Sequence, residues 1–158
     1  MERVVIAKIR NARVSLKDLR EVALSIKNKN VNDAEKYLKK VLEKRDFIPY
    51  LHYPHGHKHG IQAGYPTKAI KLMLRLIKQL RANVKNLGGN DSEIKIERFD
   101  LGRGEYPLVF NYARFVKSHR GKRTNITIYT TIKVEKTEEK KEQNTAETNK
   151  VENKAQTQ

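Results

Sequence analysis

The chain has 158 residues, and 34 Lys and Arg against 18 Asp and Glu leave a net charge of +16, with 37% hydrophobic residues and a mean hydropathy of −0.78. That composition fits one small, highly charged domain. The absence of Cys excludes disulfides, thiolate metal sites and cysteine nucleophiles; with no apolar run of membrane-spanning length and an opening Met1–Lys8 interrupted by charge, neither secretion nor membrane insertion is expected.

Val4 to Val14 reads as a strand and its lead-in. Ser15 then opens a helix whose apolar positions Leu16, Leu19, Val22, Ala23 and Ile26 keep helical spacing, with Ser15 and Asp18 resembling a capping box. A second helix follows the turn Asn28-Lys29-Asn30, with Asn32 as N-cap and Ala34, Tyr37, Leu38, Val41 and Leu42 as its buried stripe. Two helices joined this tightly pack as a hairpin.

The periodicity stops between Asp46 and Tyr65. This stretch holds His52, His55, His57, Lys58 and His59 among Pro, Gly and Tyr residues, and an ordered loop of that length in a small domain is usually a binding segment. Pro66 begins a long helix that runs to Leu87 and is stopped by Gly88-Gly89. Positions at 100° intervals put Ala69, Met73, Leu76, Ile77, Leu80, Val84 and Leu87 on one face and Lys68, Lys71, Arg75, Lys78, Arg81 and Lys85 on the other. No acid lies between Thr67 and Asn90, so the stripe reads as six unpaired cations whose repulsion an external anion would relieve. A merely solvated face is the plain alternative. A membrane-surface helix is a poorer one, because Trp is absent and the apolar face is needed as core.

Glu93 to Phe99 and Asn125 to Val134 alternate as strands and are expected to pair antiparallel. Between them, Asp100 to Thr124 carries Arg103, Arg114, Lys117, His119, Arg120, Lys122 and Arg123 interleaved with Tyr106, Phe110, Tyr112 and Phe115. Folded back on itself at ~3.3 Å per residue, this segment would project about 40 Å. Its mixture of cations and aromatics suits backbone neutralisation and stacking on unpaired bases. From Lys133 onward, six Lys balance six Glu among Asn, Thr and Gln, a composition that cannot bury enough surface to offset its ordering entropy. The whole positive excess therefore belongs to residues 1–132.

These readings combine into an α+β fold: three helices packed on a small three-stranded antiparallel sheet, with a long projecting β-hairpin at about 99–125. The globular domain is assigned to 1–134 and a disordered charged tail to 135–158. A folded part this basic points to nucleic acid. Arg13, just before the first helix, joins the loop, long-helix and arm cations as a candidate contact.

Two sharper chemistries fare worse. The four closely spaced His raise a zinc site, but no Cys is available and fixed tetrahedral ligation is not evident in the spacing; no metal or other cofactor is assigned. Gly102-Arg103-Gly104 is not followed by a helical pattern, so it is a poor dinucleotide fingerprint, and the few acids form no catalytic constellation. The protein is not expected to be an enzyme.

The element order, together with Ala12-Arg13-Val14-Ser15, Asp33-Ala34-Glu35-Lys36-Tyr37-Leu38-Lys39-Lys40-Val41, and the loop from Ile48-Pro49-Tyr50 to Gly64-Tyr65-Pro66-Thr67-Lys68, resembles the universal large-subunit ribosomal protein twenty-two family, number seventeen in eukaryotic nomenclature, in its archaeal and eukaryotic form. The resemblance covers about residues 3–134. It implies a structural protein bound to large-subunit rRNA, with neighbouring ribosomal proteins as partners and a hairpin that helps line the nascent-peptide exit tunnel. The family's arm tip usually carries several Arg and a Gly, whereas Tyr106–Lys117 has few charges and no Gly. Contact with the nascent peptide is therefore carried over to a region, with Tyr112 and Arg114 as the tunnel-lining candidates. The implied setting is a cytosolic ribosome, with nucleolar assembly if the source is eukaryotic. The competing reading is a free RNA- or DNA-binding factor outside the ribosome.

Overall fold

A computed structural model describes residues 2–53, 57–58, 61–89, 94–105, 108–111 and 117–133. The main sheet has three antiparallel strands in the order β1-β8-β5, where β1 is Glu2–Ala12, β5 is Arg98–Arg103 and β8 is Thr124–Lys133. Strand alternation divides this sheet cleanly. Val5, Ala7, Ile126, Ile128 and Ile132 enter the core, while Val4, Ile6 and Lys8 point away from it.

Helices α1 (Leu16–Ile26), α2 (Val31–Leu42) and α3 (Thr67–Asn86) close the core. Leu19, Val22, Ala23 and Ile26 of α1, Ala34, Leu38 and Val41 of α2, and Ala69, Ile70, Met73, Leu76, Ile77, Leu80 and Val84 of α3 are all buried. Each such Leu or Ile contributes about 1.5–3 kcal/mol of transfer free energy. Leu87, expected on the buried stripe, is instead 37% exposed, because it caps α3 where Gly88 takes a φ of +76° and turns the chain away. The outer edge of β1 is partly covered by α3, whose Asn83 amide donates to the Ile6 carbonyl at 2.8 Å.

Three local expectations are corrected. The strand read over 93–99 begins only at Arg98. Ile94 and Ile96 are buried, but their backbone bonds the α1–α2 turn: Val31 N–H donates to Ile94 O at 2.9 Å and Asn28 N–H to Ile96 O at 2.8 Å. The N-cap of α2 is Asn30, not Asn32, and neither Asn30 nor Ser15 makes a side-chain cap bond. Asp18, expected in a capping box, accepts from the Tyr50 hydroxyl at 3.4 Å.

The 46–65 loop contains a small three-stranded ribbon in the order β2-β4-β3, from β2 (Ile48–Pro49), β3 (His57–Lys58) and β4 (Ile61–Gly64). Gly64 is needed there, since a Cβ would sit 2.8 Å from the Tyr50 ring. In the arm, β5 pairs β8 as far as Arg103 and Thr124, and β6 (Leu108–Asn111) pairs β7 (Lys117–Arg120) as a separate two-stranded sheet. No described helix is long and apolar enough to cross a membrane. The 135–158 tail lies outside the described residues.

Candidate nucleic-acid interface

The outward face of α3 follows from the burial of its other face. Lys68, Lys71, Arg75, Lys78 and Lys85 are exposed. Among the described residues, Lys68, Lys71 and Arg75 form no ion pair. Arg81 does not belong with them. Its Nη2 lies 2.9 Å from Glu35 Oε2 and donates to Asn32 Oδ1 at 2.6 Å, tying α3 to α2. The expectation of six unpaired cations fails because α2 supplies an acid that α3 lacks. Glu35 also meets Lys39 Nζ at 2.6 Å; that bond first, then the charges of Arg81, Lys39 and Lys78, hold its carboxyl below the usual glutamate value against the opposing effect of burial.

The loop is anchored by a residue that the sequence pattern did not single out. Glu21 of α1 has no side-chain exposure, yet its carboxylate accepts backbone N–H groups from Leu51 at 3.0 Å, His52 at 3.0 Å and Tyr53 at 3.2 Å. Three charge-assisted bonds meet the demand of a buried carboxylate and fix the turn 51–53 onto α1. The only advance signal was an acid within the core-facing helix. Burial, with Asp18 nearby, pushes the Tyr50 hydroxyl pKa well up, and burial with Asp46 pushes Tyr37 up to about 12. Both hydroxyls therefore act as donors, Tyr37 to the Phe47 carbonyl at 2.7 Å.

His52 is half exposed, with Nδ1 3.7 Å from Glu21. His57 and Lys58 occupy β3, whose backbone pairs with Gln62 and Ile61. His55 and His59 lie outside the described residues, so only part of the His cluster is described; among the described residues no group of three or more potential ligands could hold a metal. Arg13 and Lys122 are exposed. Arg103, also exposed, ends β5 at the hairpin root. Arg123 is half-buried, donating through Nη1 to the Asn11 carbonyl at 3.0 Å, so part of its role is to brace that root. Lys117 and Arg120 lie on β7, opposite Asn111 and Leu108. Tyr112 and Arg114 are outside the described residues.

A second basic surface was not foreseen. A groove of about 1280 Å³ between α1 and the outer part of the sheet is lined by Lys8, Arg10, Arg20, Lys27, Arg98 and Arg103, together with Tyr53 and Tyr129. Its acids are Asp100, already bonded to Arg98, and Glu105. Alternation along β1 was the available signal, since it turns Lys8 away from Val5 and Ala7.

An α+β body with a basic helix face, a clamped loop and a cationic hairpin root has the charge distribution that a nucleic-acid-binding structural protein would need. The family model described as Ribosomal protein L22p/L17e matches residues 7–133, and the chain belongs to that family. It is thus a ribosomal protein and not an enzyme. Similar relatives, each named large ribosomal subunit protein uL22, include one from Staphylothermus marinus, 35% identical over 100 residues (58% of this chain and 64% of the relative). Others come from Sulfolobus acidocaldarius, 31% identical over 107 residues (62% and 69%), and from the mosquito Anopheles gambiae, 32% identical over 101 residues (59% and 54%). The matched part of the chain thus spans between about half and two thirds of the length of these relatives.

Proposed function

We propose that the protein is a structural constituent of the large subunit of a cytosolic ribosome. It binds large-subunit rRNA through the outward face of α3, the 48–64 loop and the hairpin, with neighbouring ribosomal proteins as further partners. The observation that carries this reading is the row Lys68, Lys71 and Arg75, exposed and without acidic partners among the described residues on a helix whose opposite face is fully buried. Such a row neutralises phosphates and sets register without reading bases. The hairpin extends the same proposal: its tip, including Tyr112 and Arg114, contacts the nascent peptide in the exit tunnel. Family membership favours this over a free RNA- or DNA-binding factor.

The test replaces Lys71, Arg75 and Lys78 together by Glu and follows incorporation into large subunits on sucrose gradients. Incorporation is expected to fall more than about tenfold, since several phosphate contacts become repulsive. Incorporation at the wild-type level would reduce the stripe to a solubility device.

A further inference from the structure

We infer that the outward face of the main sheet holds an unpaired RNA nucleotide, its base stacked on the Arg98 guanidinium over Tyr129 and its phosphates on Lys8 and Arg10. This rests on the rRNA-binding reading and adds to it a site that the α3 stripe does not contain.

Arg98 and Tyr129 are directly opposite each other in the β5–β8 register, and the guanidinium carbon lies 5.0 Å from the ring centroid. Asp100, two residues along the same face of β5, grips that guanidinium with Nε at 3.1 Å and Nη2 at 3.0 Å from its two oxygens. Arg98 nevertheless keeps 68% of its side-chain surface exposed. A guanidinium that is neutralised and held in place is poorly suited to clamp phosphate; its planar group is what remains to be offered, and Arg planes are among the surfaces on which unpaired bases stack.

The next strand completes the site. Ile6 pairs opposite Tyr129 and is 47% exposed, and Lys8 pairs opposite Thr127, which faces Asp100. One row across the sheet therefore reads Ile6, Tyr129, Arg98 and is suited to a base. The adjacent row begins with Lys8, and Arg10 follows it along the exposed face of β1, both lining the same groove. That is the arrangement of a stacking platform beside a backbone track. A duplex keeps its base faces internally stacked and cannot use such a platform.

The experiment uses the full chain with a short single-stranded RNA carrying one 2-aminopurine, and with the same strand annealed to its complement. The wild type is expected to quench 2-aminopurine in the single strand and not in the duplex. Arg98→Lys keeps the charge but loses the plane, and Tyr129→Ala removes its support; each is expected to abolish the quench and weaken single-strand binding about tenfold. Tyr129→Phe, which retains the ring, is expected to keep both and so controls for folding. The Lys71, Arg75, Lys78 triple Glu variant is expected to lower overall affinity while leaving the quench at saturation intact, which separates this site from the α3 reading. Undiminished quenching in Arg98→Lys and Tyr129→Ala overturns the inference, as does a wild type that binds no single strand. A photo-crosslinking residue at Ile6 in assembled particles provides the second check: crosslinks to rRNA support the site, and crosslinks to a protein alone overturn it.

Discussion

The root and the outer part of the hairpin are each built on an antiparallel strand pair, yet their surroundings differ. At the root, Arg98–Arg103 and Thr124–Lys133 have β1 as a third strand, and Ile126 and Ile128 feed a core shared with α3. Further out, Leu108–Asn111 and Lys117–Arg120 pair only with each other. A third strand and a helix behind it supply most of a sheet's independent stability, while a lone two-stranded hairpin is marginal in water. The fold thus concentrates stability in the body, and the outer hairpin adds little to it, in keeping with the binding role proposed for it.

The strongest test of that division is a core truncation. Leu76 is fully buried in α3, so Leu76→Ala is expected to cost about 2–5 kcal/mol. Chemical denaturation of the free protein measures it. A cost under about 1 kcal/mol would mean that the body is not where stability resides.

Next in size is the loop clamp. Glu21→Ala removes the acceptor of three backbone N–H groups at a buried site and is expected to cost about 2 kcal/mol. Glu21→Gln keeps one oxygen and is expected to cost less. Because the loss lies at the α1–loop contact, amide exchange should accelerate at Leu51–Tyr53 and remain slow at Ile126 and Ile128. Equal acceleration at both would make Glu21 an ordinary core residue.

Glu21 also shows where the sequence is silent. α3 was legible because its twenty helical residues carry one apolar period and one basic period, and neither depends on distant partners. The strand at 93–99 was misread because Ile94 and Ile96 alternate inward whether the backbone pairs with β8 or with the α1–α2 turn. Asn30 and Asn32 both suit a cap, and only the fold decides that Asn32 serves Arg81. Glu21 meets partners about thirty residues away in sequence, and no local pattern announces such a bond. The groove was hidden for a similar reason, since Lys8 and Arg10 meet Arg20 and Arg98 only after the topology sets β1 beside β8.

A smaller effect concerns Glu35, which joins α2 to the base of the basic helix. Its folded-state pKa is lowered, chiefly by the hydrogen bond from Lys39, so its contribution is present above the unfolded glutamate value of about 4.3 and is lost as pH falls through the lower folded value. Thermal melts as a function of pH should show Glu35→Gln less stable than wild type at neutral pH, with the gap closing in acid. A gap that persists unchanged to low pH would show that the Glu35 charge contributes nothing.

The smallest expected effect on stability is also the one that most directly separates the two regions. Replacing residues 106–121 by a short Gly-containing turn keeps the Arg103–Thr124 pair and the Gly104 N–H bond to the Arg123 carbonyl at 2.9 Å. Every buried residue of the core cluster is retained, and the shorter loop lowers closure entropy only slightly, by about 0.6 kcal/mol per halving of length. The melting temperature of the free protein should therefore stay within a few degrees of wild type. Amide exchange on the intact protein should likewise be fast in Leu108–Asn111 and Lys117–Arg120 and slow in Asn125–Ile128. If the outer hairpin does bind RNA and the nascent chain, ordering it on binding costs part of the interaction free energy. The shortened protein should then still enter large subunits through α3, with its defect appearing in elongation or nascent-chain stalling. A large drop in melting temperature, or strong protection of 108–120 without RNA, would show that the outer hairpin packs on the body, and the division between a stabilising root and a binding extension would fail.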